Sequence, residues 1–252
     1  MPAIRLPGPV CSLLGAFRVD AGTMCRASSP VPGSAGRKFL KLKSTTTLAA
    51  PKSGVAVGNL TAADFAAAAK SLGHDIDPTL IRAFAEVESG GKSGFGHEGL
   101  PVIAFEGHIF RKLTGRKYDK DHPLLSYRYI KKAGPEWQDN NKDQKTAWAT
   151  LQAAIALDND AALQSCSWGM FQVMGFNDAK CGYPGVKAFV AAMKAGERGQ
   201  LDAFVGFCKN TTGMIMALRD KNFASMATLY NGKDFGNYDR RIEKAYKKHG
   251  GS

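Results

Sequence analysis

Beyond Leu60, apolar residues recur at helical spacing through most of the chain. Thr61 precedes Ala62-Ala63-Asp64, a cap-like Thr-x-x-Asp with an acid in the first turn, and alanine-rich sequence runs on to Gly73. Asp77-Pro78 marks a second start, with an N-cap acid followed by a proline whose missing N–H costs nothing at the first helical position. Leu80, Ile81, Phe84 and Val87 then share one face until Ser89-Gly90-Gly91 stops the helix. Similar patterns predict helices over Glu106–Leu113, Lys142–Leu157, Asp160–Cys166, Gly185–Ala195, Gln200–Cys208, Thr212–Arg219, Asn222–Tyr230 and Tyr238–Lys248. Alternation of Val, Ile and Thr is almost absent, which leaves room for at most a short hairpin among residues 94–103. The expectation is a mainly α, single-core domain over residues 59–250. Residues 1–58 mix Pro, Gly, Ser and Thr with no lasting period and read as a flexible basic leader. Leu6–Phe17 only half meets the pattern of an export signal, because Pro7, Pro9 and Gly15 interrupt it.

Charge sharpens this picture. The 252 residues carry a net charge of +12, which points to an anionic partner such as nucleic acid, anionic lipid or an acidic wall polymer. Residues 1–54 hold eight basic side chains and one acid, so most of the surplus sits in the leader. No helix-turn-helix or aromatic RNA-binding signature accompanies it, so specific nucleic-acid binding is not expected. No apolar run reaches the ~18 residues needed to span a bilayer. The five cysteines show no CxxC spacing, which argues against zinc ribbons and thioredoxin-like chemistry. Cys166 and Cys208 read as core residues, although Cys166 and Cys181 are near enough in sequence to permit a disulfide.

Four segments hold residues suited to chemistry. Glu88 ends an otherwise apolar helix, where hydrophobic surroundings and the negative helix C-terminus both disfavour its ionised form. That is the condition for a general acid at neutral pH; the competing reading is a merely solvated carboxylate. Glu86 points to a different face and is the weaker candidate. Glu106 and His108 lie among apolar residues in Phe105-Glu106-Gly107-His108-Ile109-Phe110, either as a second catalytic carboxylate with its neighbour or as a structural network. In Ser165–Asn177, Trp168 offers a flat face for a sugar ring, Gly169 a close backbone approach and Gln172 an amide for hydroxyls, unless the run is simply an aromatic core stripe. Tyr230-Asn231-Gly232 is either C-cap punctuation or a Tyr hydroxyl and Asn amide at a cleft mouth. Other motifs fail. Gly91-Lys92-Ser93 lacks the first glycine of a P-loop, there is no GxSxG elbow, and His97, Glu98, Glu106 and His108 lack HExxH spacing. Neither a metal nor a cofactor is expected.

In order along the chain, a helix ending Glu-Ser, then Gly-Met-Phe-Gln, then Tyr-Asn-Gly resembles the lysozyme-like superfamily, in particular soluble lytic transglycosylases and goose-type lysozymes. Val87-Glu88-Ser89-Gly90, Phe105 through Phe110, Ser167 through Gly175 and Tyr230-Asn231-Gly232 together are most similar to a phage endolysin family of N-acetylmuramidases. The resemblance covers about residues 60–248. It implies a lysozyme-like helical domain with a cleft, preceded here by the basic leader, and cleavage of the β-1,4 bond between N-acetylmuramic acid and N-acetylglucosamine. It also implies Glu88 as the acid and a substrate cleft involving Ser89, His108, Trp168, Gly169, Phe171, Gln172, Tyr230 and Asn231. Glu106, then Asp239, would supply the second carboxylate. Without one, the substrate's own 6-hydroxyl could attack, as in lytic transglycosylases. The expected partner is the peptidoglycan glycan strand, with electrostatic contact to the anionic envelope. The expected setting is a monomeric phage protein made in the host cytoplasm and acting on periplasmic wall. Two rivals are a secreted antibacterial muramidase and a non-catalytic wall-binding module, the latter having no need of an acid at Glu88.

Overall fold

The computed structural model describes residues 60–130 and 133–252. The leader predicted for residues 1–58 lies outside them. Of the eleven helices among the described residues, five start at a side-chain cap that the sequence provides. Thr61 and Asp64 form a reciprocal capping box at the start of α1 (Ala62–Leu72), with the Thr61 N–H donating to Asp64 Oδ2 at 2.8 Å. Asp77 caps α2 (Pro78–Ser89) by accepting from the Thr79 N–H at 2.8 Å, and Gly90 ends it in the left-handed region at φ 64°. A short helix α3 (Gly107–Leu113) follows the first strand, and α4 (Pro135–Asn140) is a turn and a half that the sequence pattern is too short to reveal. Asp143 caps α5 (Gln144–Leu157) and Asp158 caps α6 (Asn159–Gln164). The remaining helices are α7 (Val186–Ala195), α8 (Glu197–Lys209), α9 (Met214–Arg219), α10 (Phe223–Asn231) and α11 (Tyr238–Lys248).

The core is built around α2. Leu80, Ile81, Ala83 and Phe84 have no exposed surface, and α1 and α11 pack against this helix. Burying such side chains contributes roughly 1.5–3 kcal/mol each, which is why the amphipathic face fixes the helix more firmly than its propensity does.

The strands depart from expectation. Residues 94–103 contribute an isolated bridge between Phe95 and Pro101, not a hairpin. The sheet has three strands, β1 (Ile103–Phe105), β2 (Cys166–Trp168) and β3 (Val173–Met174), all antiparallel in that order. Ile103 faces Trp168 and Phe105 faces Cys166, while Ser167 faces Met174. Cys166 therefore belongs to a strand and not to the end of the preceding helix. The outer edge of β1 is closed by side-chain amides. Gln144 bonds the Ile103 N–H and C=O at 2.8 Å each, and Asn141 does the same for Phe105 at 2.7 and 3.0 Å. The suggested Cys166–Cys181 disulfide is absent. Cys166, Cys181 and Cys208 are buried free thiols.

Candidate active site

Glu88 sits in the last turn of α2, one turn above Phe84, and is only 5 % exposed. Phe84 packs against Tyr230 of α10 and Tyr238 of α11 with ring centroids 5.3 and 6.3 Å away, and the two tyrosine rings stack at 6.3 Å. The Tyr238 hydroxyl donates to Glu88 Oε1. Arg241, one turn further along α11, donates to the Val87 carbonyl at 2.8 Å and lies over the Tyr238 ring. Burial pushes the Glu88 carboxyl up to about 7, against the opposing pull of the Tyr238 hydrogen bond and the Arg241 charge. Such a group keeps its proton into the neutral range, and its conjugate base has a donor and a cation in place once the proton leaves.

Glu86 serves a different purpose. Its carboxylate bridges Lys248 Nζ at 2.8 Å and His249 Nε2 at 2.6 Å, tying the end of α11 to α2. The Lys248 hydrogen bond holds its pKa below the ordinary value. Beyond α2, Gly90 and Gly91 (φ 64° and 76°) leave open space, and Ser89 turns its hydroxyl back to the Ala85 carbonyl at 2.7 Å.

The β2–β3 hairpin abuts this wall: the Tyr230 hydroxyl donates to the Phe171 carbonyl at 2.5 Å. Its side chains correct several expectations. Trp168 has no exposed surface, donates Nε1–H to the Leu163 carbonyl at 3.1 Å and meets Trp148 edge-on, so no face is free for a sugar. Phe171 is equally buried, stacked on Phe204 at 4.5 Å. Gln172 is engaged by Ser167 (2.7 Å) and by the Gly169 carbonyl (2.8 Å), holding the hairpin turn. Gly169, at φ 70°, is needed because a Cβ there would lie 2.5 Å from the Gln200 amide carbon. Tyr230 is buried with its hydroxyl engaged, so its part is to back Tyr238 and to anchor the hairpin. Asn231 is buried, and its Oδ1 has no donor within hydrogen-bond reach.

Glu106 and His108 form their own cluster. Glu106 accepts from Trp137 Nε1 at 2.9 Å and lies 3.3 Å from His108 Nδ1. Asp239 is half-buried, but its neighbour Tyr238 is the residue bonded to Glu88. Neither proposed second carboxylate is thus seen to act on the acid. Sequence reasoning passed over Tyr238 and Arg241, whose role depends on a contact 150 residues away from Glu88 along the chain. It also passed over Gln200 and Glu197, which pin the segment after α2: Gln200 accepts from the Met170 N–H at 2.7 Å and Glu197 from the Gly94 N–H at 3.0 Å. No signal in single residues of this kind marks a buried anchor.

Comparison with known proteins agrees with this architecture. The family described as N-acetylmuramidase matches residues 77–250. The crystal structure of the Burkholderia AP3 phage endolysin is 38% identical, covering 76% of this chain and 71% of that one, with a TM-score of 0.64. No curated protein matches. With the helical frame, the acid-bearing α2 and a family match over more than two thirds of its length, this chain belongs to the N-acetylmuramidase family, the peptidoglycan-degrading enzymes of phage endolysin type.

Proposed function

We propose that the chain is an endolysin that cleaves the β-1,4 bond between N-acetylmuramic acid and N-acetylglucosamine, with Glu88 as the general acid. The observation that carries this reading is the buried carboxyl of Glu88, protonated to about pH 7 and flanked by Tyr238 and Arg241. Glycoside cleavage needs a proton for the departing oxygen as the sugar acquires oxocarbenium character. Burial retains that proton at rest. Tyr238 and Arg241 stabilise the carboxylate as the proton departs, so they act only in the charged state that follows. The enzyme would be made in the host cytoplasm and reach the periplasmic wall during host lysis.

Mass spectrometry of muropeptides released from purified sacculi tests the reading. Wild type is expected to release disaccharide products and Glu88→Gln essentially none; equal release by both removes Glu88 from the mechanism. A second reading, a lytic transglycosylase, is favoured by one observation: Glu106, the first candidate for a second carboxylate, is engaged by Trp137 and His108 in a cluster of its own. Attack by the substrate's 6-hydroxyl would then give anhydro-sugars, and the same spectra separate these from reducing-end sugars.

A further inference from the structure

A small pocket lies beside the Glu106 cluster, lined by the carboxyls of Glu106 and Glu136, the imidazole of His108, and the rings of Tyr127, Tyr129 and Trp137. Its floor has room for one water-sized group and its mouth is open. Two buried polar atoms there lack a hydrogen-bond partner, His108 Nε2 and Glu136 Oε2. The His108 side chain is 10 % exposed. Its Nδ1 lies 3.3 Å from Glu106 Oε2, and its Nε2 is a buried nitrogen with no partner. Glu136 Oε2 is an acceptor by nature. The Tyr127 hydroxyl accepts from the Gly107 N–H at 3.1 Å. Burial raises the pKa of that hydroxyl, and the negative potential of Glu106 and Glu136 adds to the rise. The floor thus holds two unpartnered polar atoms beside the negative charge of Glu106 and Glu136. Among the described lining residues the cation is Arg128, which is exposed and bonds neither orphan atom.

A hydroxyl would satisfy one of these atoms. A primary ammonium group has three donors, about the dimensions of a water molecule and a charge that two carboxylates would stabilise. We propose that the Glu106–His108–Glu136 pocket is a subsite for a primary ammonium group. On the muramidase reading, on which this identification rests, the group is a free amine of the wall: the side-chain amine of an uncrosslinked diamino acid in a stem peptide, or the amine of a de-N-acetylated sugar. The subsite would select wall that is not yet crosslinked or acetylated at that position.

Two measurements on the full chain decide it. In the first, sacculi are compared before and after chemical N-acetylation of their amines. KM of the wild type rises about tenfold on acetylation, the loss of one charged hydrogen-bond set, while kcat changes little. Glu136→Gln starts from the higher KM and is indifferent to acetylation. Equal KM on the two walls for wild type, or undiminished discrimination by Glu136→Gln, overturns the proposal. Repeating the comparison on glycan strands stripped of peptide separates the sources: a lost preference assigns the amine to the stem, a retained one to the sugar.

The second measurement needs no catalysis and uses Glu88→Gln, so it stands even if wild type lyses neither wall and the muramidase reading fails. Nα-acetyl-lysine methylamide is titrated while the three tryptophan indole N–H resonances are followed. Only Trp137, whose Nε1–H reaches Glu106, is expected to move; Trp148 and Trp168 donate to the Pro101 and Leu163 carbonyls inside the core. Adding Glu136→Gln abolishes the shift. A silent Trp137, or the same shift with Glu136 replaced, overturns the subsite.

Discussion

Glu88 costs the fold stability at the pH where its chemistry is wanted. Its folded pKa of about 7 exceeds the ordinary 4.5, so between these values the folded chain holds a proton that the unfolded chain has released. Stability therefore falls as pH rises from about 4.5 to 7 and levels off above. The span corresponds to about 3 kcal/mol, an order-of-magnitude figure. Glu88→Gln removes this dependence. Urea unfolding should show the variant matching wild type near pH 4 and exceeding its stability by up to about 3 kcal/mol at pH 8, while activity drops by roughly 10²–10⁴-fold. A variant less stable than wild type at pH 8 contradicts the buried, proton-holding carboxyl. Tyr238 works in the opposite sense, since its hydrogen bond favours the ionised acid. Tyr238→Phe should move the alkaline limb of the pH–rate profile upward and lower kcat, because the departing proton leaves a carboxylate with one donor fewer. A limb that stays or moves down excludes a direct effect on Glu88.

At the scale of elements, the most consequential part of the frame is the segment between α2 and β1, pinned by buried hydrogen bonds with Glu197 and Gln200 of α8. Gln200 accepts from the Met170 N–H and donates to the Gly94 and Met193 carbonyls at 3.3 and 3.2 Å. Gln200→Leu fits the volume but strands these buried groups, so thermal unfolding should show a loss of about 3 kcal/mol or more. An unchanged melting temperature would mean that water or backbone relaxation replaces the amide. The same elements show why some structure is legible in sequence. Thr61, Asp77-Pro78 and Asp143 signal helix starts through local hydrogen bonds, so those boundaries fall within a residue or two of the patterns. The strands give no such signal. Each is two or three residues long and buried on both faces, which erases alternation. Glu88 is legible because helix end and apolar face are both local. Trp168 misleads because an indole suited to stacking on sugar suits a core equally well, and only the packing of Trp148 and Leu163 decides between them.

For the whole molecule, charge divides unevenly between two parts of the chain. Residues 1–54 carry +7 of the net +12, while the remaining 198 carry +5. The acid and its hydrogen-bond partners all lie in the latter, so the leader's charge has no part in the chemical step that we propose. Its physical effect is long-range attraction to an anionic wall, which raises the local enzyme concentration and is screened over about 10 Å at 0.1 M salt. Removing residues 1–54 should therefore lower the rate of sacculus clearing several-fold at about 10 mM salt, where the Debye length is about 30 Å. The gap should close near 0.5 M salt, with kcat on short soluble glycan fragments unaltered throughout. Identical clearing at every ionic strength removes the electrostatic role. A loss that persists at high salt and on fragments would instead assign the leader a direct part in folding or catalysis.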